Sequence, residues 1–177
     1  MLTRLRTKHY TKLHYENNIL QTKPLRKIPE ALIYNKDNDY IMFSTRSGKV
    51  LGRMNAYLTE WPPSKSYYPD EKQTYTCLYI DGLETFKKFQ GVGKRFIEFA
   101  KSISRNSEAK GKINILAWCI DDSNVCPQVF YHKMGFTTTN KKHLAEIIRL
   151  EKTNSKTPQL FGDGNTYTNM YLDLAAS

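Results

Sequence analysis

The feature that most constrains the fold is a strand–helix–strand succession between residues 76 and 120. TCLYIDGL, residues 76–83, has the composition of a strand, and KINILAWCI, residues 112–120, is short and apolar at nearly every position. Such a run is typical of a strand buried on both faces. Between them, apolar residues recur at helical spacing: Phe96, Ile97, Ala100 and Ile103. Strand, helix and strand in this order predict a parallel crossover unit.

The rest of the chain adds further strands and helices to this unit. Strands are expected at 31–34, 40–45, 50–58 and 167–174, and RSGK, residues 46–49, is expected to form a hairpin turn. A second helix is predicted over 126–134, with capping side chains from residues 121–124, Pro127 in the first turn and Gly135 at the end. A third is expected near 141–151. One core suffices for 177 residues, so we predict a single domain spanning 1–177.

Composition restricts the class of protein. The chain is 40% hydrophobic and 12% aromatic, which are globular values that argue against disorder. No window approaches the roughly 18 apolar residues of a membrane helix. The three cysteines, Cys77, Cys119 and Cys126, lack metal-ligand spacing, and no secretory segment opens the chain. We therefore expect a cytoplasmic protein with no metal and no membrane partner.

The net charge of +10 is compatible with nucleic acid, an acidic membrane face or a polyanionic small ligand. Basic residues crowd segment 1–30 and a second stretch at 87–105. The first set is compatible with a solvated basic face or, alternatively, with an organellar transit segment. Charge alone does not choose among these partners.

FQGVGKRF, residues 89–96, places two glycines directly before the predicted helix. Glycine permits close approach of a ligand to the main chain, and the first turn of a helix offers unpaired N–H groups to an anion. The loop is not a nucleotide-triphosphate loop, because Lys88 and Arg95 stand where a glycine and a Ser or Thr are required. A dinucleotide fingerprint fails at Phe96, where a third glycine belongs. A purely structural tight turn remains the alternative.

Residues 76–136 as a block resemble the GNAT superfamily of N-acetyltransferases. The phosphate motif of that family, [Q/R]-x-x-G-x-[G/A], corresponds to residues 88–93, KFQGVG; both glycines match, and Lys88 replaces Gln or Arg. A second motif, N-x-x-[A/P]-x-x-[F/L]-Y-x-x-x-G-F, is matched within NVCPQVFYHKMGF, residues 124–136, at every specified position. MYLDL, residues 170–174, looks like the last strand of the family, whereas the first sixty residues resemble it only in strand order.

The resemblance implies an α/β (α+β) fold with a mixed, mostly antiparallel central sheet, helices on both faces and a splayed pair of parallel strands. It also implies acetyl-CoA as the donor, with direct transfer of the acetyl group to an amine. Main-chain N–H groups near the start of the helix would hold the pyrophosphate, and the end of the strand near Leu83 would pair with the pantetheine arm. The cofactor-binding residues implied are Leu83, Lys88, Phe89, Gln90, Gly91, Val92, Gly93, Lys94 and Asn124.

Tyr131 is the catalytic residue that the resemblance implies, because the tyrosine of this motif is the general acid of the family. An unperturbed tyrosine is protonated at neutral pH and can donate a proton to the leaving thiolate. The alternative to this catalytic role is that Tyr131 is a structural tyrosine of the core. Its neighbour His132 points in another direction along the helix and is expected at the surface.

A general base is not singled out by the sequence. Asp81 is the first candidate, with Glu84, Tyr79 or a chain of water molecules as alternatives. Strict alternation along the strand would place Tyr79, Asp81 and Leu83 on one face, opposite Ile80.

The acceptor is expected to be a small-molecule or peptide amine, bound by the parts of the chain least like the family: segments 1–30, 61–75 and 137–164. Trp61, Tyr67 and Tyr68 would pack on the acceptor, or alternatively form a surface cover, and Asp70 or Glu71 would pair with its charge. A homodimer is left open. Two other functions remain as alternatives: a CoA-binding regulatory module without turnover, suggested by the altered first position of the phosphate motif, and a basic nucleic-acid-binding domain, suggested by charge.

Overall fold

The computed structural model describes residues 19–21, 31–62, 68, 72–86, 91–118, 126–153 and 167–175. Seven strands form one sheet in which spatial order follows chain order. The strands are β1 (Ile19–Gln21), β2 (Ala31–Lys36), β3 (Asp39–Ser44), β4 (Val50–Trp61), β5 (Tyr75–Thr85), β6 (Lys112–Trp118) and β7 (Tyr167–Asp173). The helices are α1 (Val92–Arg105), α2 (Pro127–Lys133) and α3 (Lys141–Thr153).

The pairing of the strands follows from the length of the connections. Strands β2, β3 and β4 are joined by short turns and pair antiparallel, the first turn using the positive φ angles of Asp37 and Asn38. Between β5 and β6 the chain makes a long crossover through α1, and only this pair is parallel within the described sheet. The predicted mixed, mostly antiparallel sheet with helices and one parallel pair is therefore confirmed.

The three helices form where the sequence predicts them. Gly91, at φ 75°, precedes α1, which ends at Arg105. Pro127 begins α2 because its missing N–H is not needed in the first turn, and Gly135, at φ 96°, follows its end. Cys126 is the N-cap residue of α2 and makes no side-chain capping bond. The predicted capping residues, 121–124, lie outside the described residues.

The hydrophobic core lies on one face of the sheet, which we call the helical face. All three helices contribute to it, with Phe96 and Ile97 of α1, Tyr131 of α2 and Ile147 of α3 packed over the buried side chains of β2 to β7. Within the described part of the chain no helix covers the opposite face, which we call the second face. Helices were expected on both faces; the described links between β2, β3 and β4 are turns too short to contain one.

A β-bulge in β5 changes the faces of its residues. Ala56 of β4 lies opposite Ile80, but Asn55 lies opposite Gly82, so Asp81 is an extra residue. Met54 and Ala56 both belong to the core and lie opposite Leu83 and Ile80, which therefore share the helical face. The expectation that Leu83 lies on the same face as Tyr79 is wrong, because an inserted residue shifts the alternation by one.

In the described part of the chain, no helix is both long and apolar enough to cross a membrane. The described Cys, His, Asp and Glu side chains likewise form no group of three that could bind a metal ion.

Candidate functional site

An opening separates the carboxyl-terminal halves of the two parallel strands. β5 and β6 pair at only three positions, from Leu78 with Ile113 to Ile80 with Ile115. Beyond Ile80, β5 continues beside β4 to Thr85, while β6 continues beside β7 to Trp118. The bulge at Asp81 bends β5 at the point where the two strands part.

Main-chain groups of both strands are directed into this opening. Phe86 donates its N–H to Leu51 O of β4 over 3.0 Å. In an antiparallel pair every second residue bonds the partner strand, so the N–H and C=O groups of Leu83 and Thr85 point away from β4. Tyr171 of β7 bonds Thr137 through both its N–H and its C=O, so these groups point away from β6. Asn114 lies opposite Tyr171 in β6, and therefore the N–H and C=O groups of Asn114, and of Leu116 two residues later, point away from β7. The opening is thus lined by polar main chain on both sides.

The crossover helix between these two strands begins at the glycine loop, as the resemblance implies. The sheet contains two parallel strands that diverge, and the crossover helix starts beside the point where they part. This arrangement matches the GNAT-like fold that the sequence motifs imply. The two glycines of the first sequence motif lie at the start of α1, and Tyr131 of the second motif lies on α2.

Comparisons with solved structures find partial similarity at low sequence identity. A bacterial toxin is 16% identical over 82% of this chain and 69% of its own, with a TM-score of 0.46. The Bacillus subtilis N-acetyltransferase YlbP, solved in complex with coenzyme A, is 21% identical over 77% of this chain and 70% of its own, with a TM-score of 0.44. Chaetomium thermophilum Naa20, solved with a bisubstrate analogue, is 13% identical over 76% and 66%, with a TM-score of 0.47. No family model and no curated protein matches the chain.

Each glycine of the loop has a structural reason in addition to the predicted ligand. Gly91 has a positive φ of 75°, which glycine adopts without strain. A Cβ at Gly93 would lie 3.1 Å from Cζ of Phe130, so the absence of a side chain lets α2 approach α1. A third glycine, Gly52 of β4, was not singled out from the sequence: its Cβ would lie 3.1 Å from Phe96 and 2.5 Å from Glu84 O. Close packing of α1 on β4 therefore depends on it.

The predicted phosphate-binding residues are only partly within the described chain. Lys88, Phe89, Gln90 and Asn124 lie outside the described residues. Val92 is buried in the core, and Lys94 is exposed one residue after Gly93. Arg95, which was expected to add to the positive field, is only 4% exposed, and burial lowers the pKa of its guanidinium.

Tyr131 belongs to the core on the helical face of the sheet and is 6% exposed. Its ring packs edge-on against Phe130 and Phe136, at centroid distances of 5.1 and 5.6 Å. Burial raises the pKa of its phenol well above the usual value of about 10. The hydroxyl therefore stays protonated at neutral and moderately alkaline pH, as a general acid requires.

Helix α2 is held to its surroundings by buried polar contacts that the sequence did not predict. Gln128, which is fully buried, donates from Nε2 to Ala117 O over 3.1 Å, and Cys126 Sγ donates to Gln128 Oε1 over 3.1 Å. Ala117 lies in the diverging half of β6, so Gln128 connects α2 to the wall of the opening. His132, expected at the surface, is half-buried and lies 2.7 Å from Glu151 Oε2 of α3.

Asp81 and Glu84 are both exposed on β5 beside the opening. Glu84 lies directly opposite Arg53 of β4, whereas Asp81 occupies the bulge and has no directly opposed residue in the register. The structure thus brings the first candidate for the general base to the point where the strands part. Its role stays a prediction.

The tyrosine predicted to pack on an acceptor has a structural role. Tyr68 is 4% exposed and donates its hydroxyl to Asn114 Oδ1 over 2.8 Å, beneath the pairing of β6 with β7. Its ring packs edge-on against Tyr75 and Tyr171 and covers the second face of the sheet around Asn114. Trp61 lies in a neighbouring ring cluster with Tyr79, whereas Tyr67, Asp70 and Glu71 lie outside the described residues.

Proposed function

We propose that this protein is an N-acyltransferase that moves an acetyl group from acetyl-CoA directly to a primary amine. The observation that carries the proposal is the opening between β5 and β6, lined by main-chain groups of Leu83 and Leu116, with the glycine loop at one end of the crossover helix. A pantetheine arm carries amide groups, which can hydrogen-bond to such strand edges as an added strand does.

The residues beside the opening supply the chemistry that acyl transfer needs. Main-chain N–H groups at the start of α1 would bind the diphosphate, helped by the exposed charge of Lys94 and by Lys88. The main chain near Leu83 would stabilise the oxyanion that forms when the amine attacks the thioester carbonyl. Asp81 or water would first accept a proton from the ammonium, so that the free amine can attack the carbonyl. Tyr131 would donate its proton to sulfur as the C–S bond breaks, and the second proton lost by the nitrogen would return to its phenolate.

The test is release of free thiol from acetyl-CoA in the presence of amines of several classes. Replacement of Tyr131 by Phe should lower kcat about a hundredfold, because a positioned general acid contributes at least that factor. Affinity for CoA, measured by calorimetry, should be unchanged. Tyr40→Phe is the matched control, because Tyr40 is another buried tyrosine of the same core cluster, packed edge-on against Phe99.

The pH dependence follows from the direction of the Tyr131 pKa shift. Because the pKa is raised, the phenol keeps its proton beyond pH 10, and kcat should not decline between pH 7 and about 9.5 through loss of the acid. Binding of CoA without thiol release across all amines would favour a CoA-binding module. Binding of nucleic acid with a steep salt dependence, together with no binding of CoA, would favour a nucleic-acid-binding domain.

A further inference from the structure

A groove lies between the second half of α1, the turn that follows α2 and the end of β7, and we call it the β7 groove. Its volume is about 550 Å³, which is within the range of small-molecule binding sites. Two cationic side chains of α1, Lys101 and Arg105, line one wall. They follow Gly93 by two to three helical turns, or about 12–18 Å along the helix axis. The β7 groove is therefore separate from the proposed diphosphate site.

One edge of the β7 groove is a strand edge that lacks a partner strand within the described chain. Thr137 and Tyr171 exchange both of their main-chain hydrogen bonds. Continued antiparallel pairing would place Gly135 opposite Asp173. Gly135 instead has φ 96° and donates its N–H to His132 O of α2. The main-chain N–H and C=O of Asp173, which lines the groove, therefore point outward from β7 and have no partner among the described residues.

The two cations of the β7 groove differ in whether they already have a partner. Lys101 Nζ lies 3.0 Å from Glu98 Oε1, also on α1. Arg105, one turn after Lys101, is exposed and its guanidinium has no ion-pair or hydrogen-bond partner in the described part of the chain. A guanidinium beside an unpaired main-chain N–H is a set of donors that suits an anion.

The carboxylate of Asp173 belongs to the other face of the sheet. Side chains alternate along β7, and Leu172 packs in the core on the helical face, so Asp173 directs its side chain to the second face. Its Oδ1 accepts the N–H of Ala175 over 2.9 Å. Burial and, second, the charge of Asp173 raise the pKa of the phenol of Tyr171, which lies on the same face. Asp173 thus offers its main chain to the groove and directs its charge to the second face.

Apolar side chains form the floor of the β7 groove: Met134, Leu172 and Leu174. Met134 and Leu174 are partly buried against the core, and Leu172 is buried in it. Gly135 adds no side chain above them, and a Cβ there would lie 3.4 Å from Leu172 Cδ1. A molecule in the groove would therefore contact apolar surface as well as hydrogen-bond donors.

We propose that the β7 groove binds a small organic carboxylate with an apolar body. Arg105 and the N–H of Asp173 donate to the carboxylate oxygens, and the apolar body packs on the floor. A phosphate ester would need donors for three oxygens, and a primary amine would be repelled by Lys101 and Arg105. One cation without a partner and one unpaired N–H therefore suit a monoanion. The inference is independent of the proposed acyl transfer, because the groove and the opening share no residue.

The experiment is a titration of nitrogen-15-labelled protein, followed by its main-chain amide signals at constant ionic strength. The probes are hexanoate, 3-phenylpropanoate and the neutral compound 3-phenylpropanamide. At least one of the two carboxylates should shift the amide signal of Asp173 to saturation. The neutral compound should bind about tenfold more weakly than 3-phenylpropanoate, because it lacks the charge that the guanidinium recognises.

Replacement of the unpaired cation tests its role. Arg105→Gln should weaken carboxylate binding about tenfold, the usual effect of losing a charge-assisted hydrogen bond. Arg149→Gln is the matched control, because it removes an exposed guanidinium from α3 with the same change of charge, and it should keep the affinity. The amide spectrum of each variant verifies that it is folded. No saturable shift at Asp173 with either carboxylate, equal affinity for the neutral compound, or unchanged affinity in Arg105→Gln would overturn the inference.

A repeat of the titration at saturating CoA separates the groove from the proposed cofactor site. The affinity for the carboxylate should be unchanged, because the groove lies two to three helical turns from the glycine loop. Displacement of the carboxylate by CoA would assign it to the cofactor site and disprove the groove site while supporting CoA binding. Saturable binding at Asp173 by a protein that neither binds CoA nor releases thiol would support the groove site and disprove the acyltransferase.

Discussion

At the scale of single residues, the missing side chain of Gly93 connects the glycine loop to the helix that carries Tyr131. A Cβ at this position would lie only 3.1 Å from the ring of Phe130, one residue before Tyr131. A change at the loop therefore reaches α2, the helix of Tyr131, through this contact, even in the absence of a ligand.

Replacement of Gly93 by Ala should lower the free energy of unfolding by about 1 kcal/mol, because a strained contact with Phe130 outweighs the better helix propensity of alanine. In a Phe130→Leu background the same replacement should be neutral or stabilising, because the smaller side chain removes the clash. Urea unfolding of the four proteins in this cycle measures the coupling. Equal effects of Gly93→Ala in both backgrounds would show that the contact with Phe130 carries no energy.

At the scale of elements, two hydrogen bonds from buried side chains attach helices to opposite ends of β6. Gln128 of α2 donates to Ala117 O near the end of the strand, and Ser104 of α1 donates to Lys112 O, 2.8 Å away, at its start. Both donors are fully buried. The first bond lies in the half of β6 that borders the opening, and the second lies in the half before it.

Gln128→Leu and Ser104→Ala should each lower the free energy of unfolding by about 1–2 kcal/mol, the usual effect of deleting a buried hydrogen bond. Only Gln128→Leu should also lower kcat, because only Gln128 holds the helix of Tyr131 to the wall of the opening. Its effect should be several-fold in kcat, with little change in the affinity for CoA. Equal losses of activity in the two variants would assign Gln128 a purely structural role.

At the scale of the whole molecule, the fold provides a gap where main-chain groups of β5 and β6 have no partner among the described strands. Amides in such a gap exchange rapidly with solvent, whereas those in the paired part of a sheet are protected. Hydrogen exchange of Leu83, Thr85 and Leu116 should therefore be fast without ligand and slow when CoA is bound. The paired residues Ile80 and Ile115 should be slow in both states. If CoA binds, as measured by calorimetry, and these three amides keep their exchange rates, CoA does not lie between the strands.

Much of the architecture could be predicted from the sequence, because it depends on local patterns. Three local patterns place β6, α1 and the ends of α1 and α2 to within one or two residues: the apolar run at 112–120, the helical period behind Gly93, and the glycines at 91 and 135. These signals arise from steric preferences and side-chain periodicity that act over a few residues. The order strand, helix, strand then determines that β5 and β6 are parallel.

The bulge at Asp81, the contact between Gly93 and Phe130, and the burial of Tyr68 were decided by tertiary structure alone. Each depends on segments distant in the chain: β4 opposite β5, α1 against α2, and a loop residue against β6 and β7. The exposure of Trp118 likewise depends on which face the helices cover. Sequence by itself determined the type and order of the elements, because those follow from local sterics and periodicity. Which side chains meet at the opening was decided by packing, because a one-residue insertion in a strand reverses the face of every residue after it.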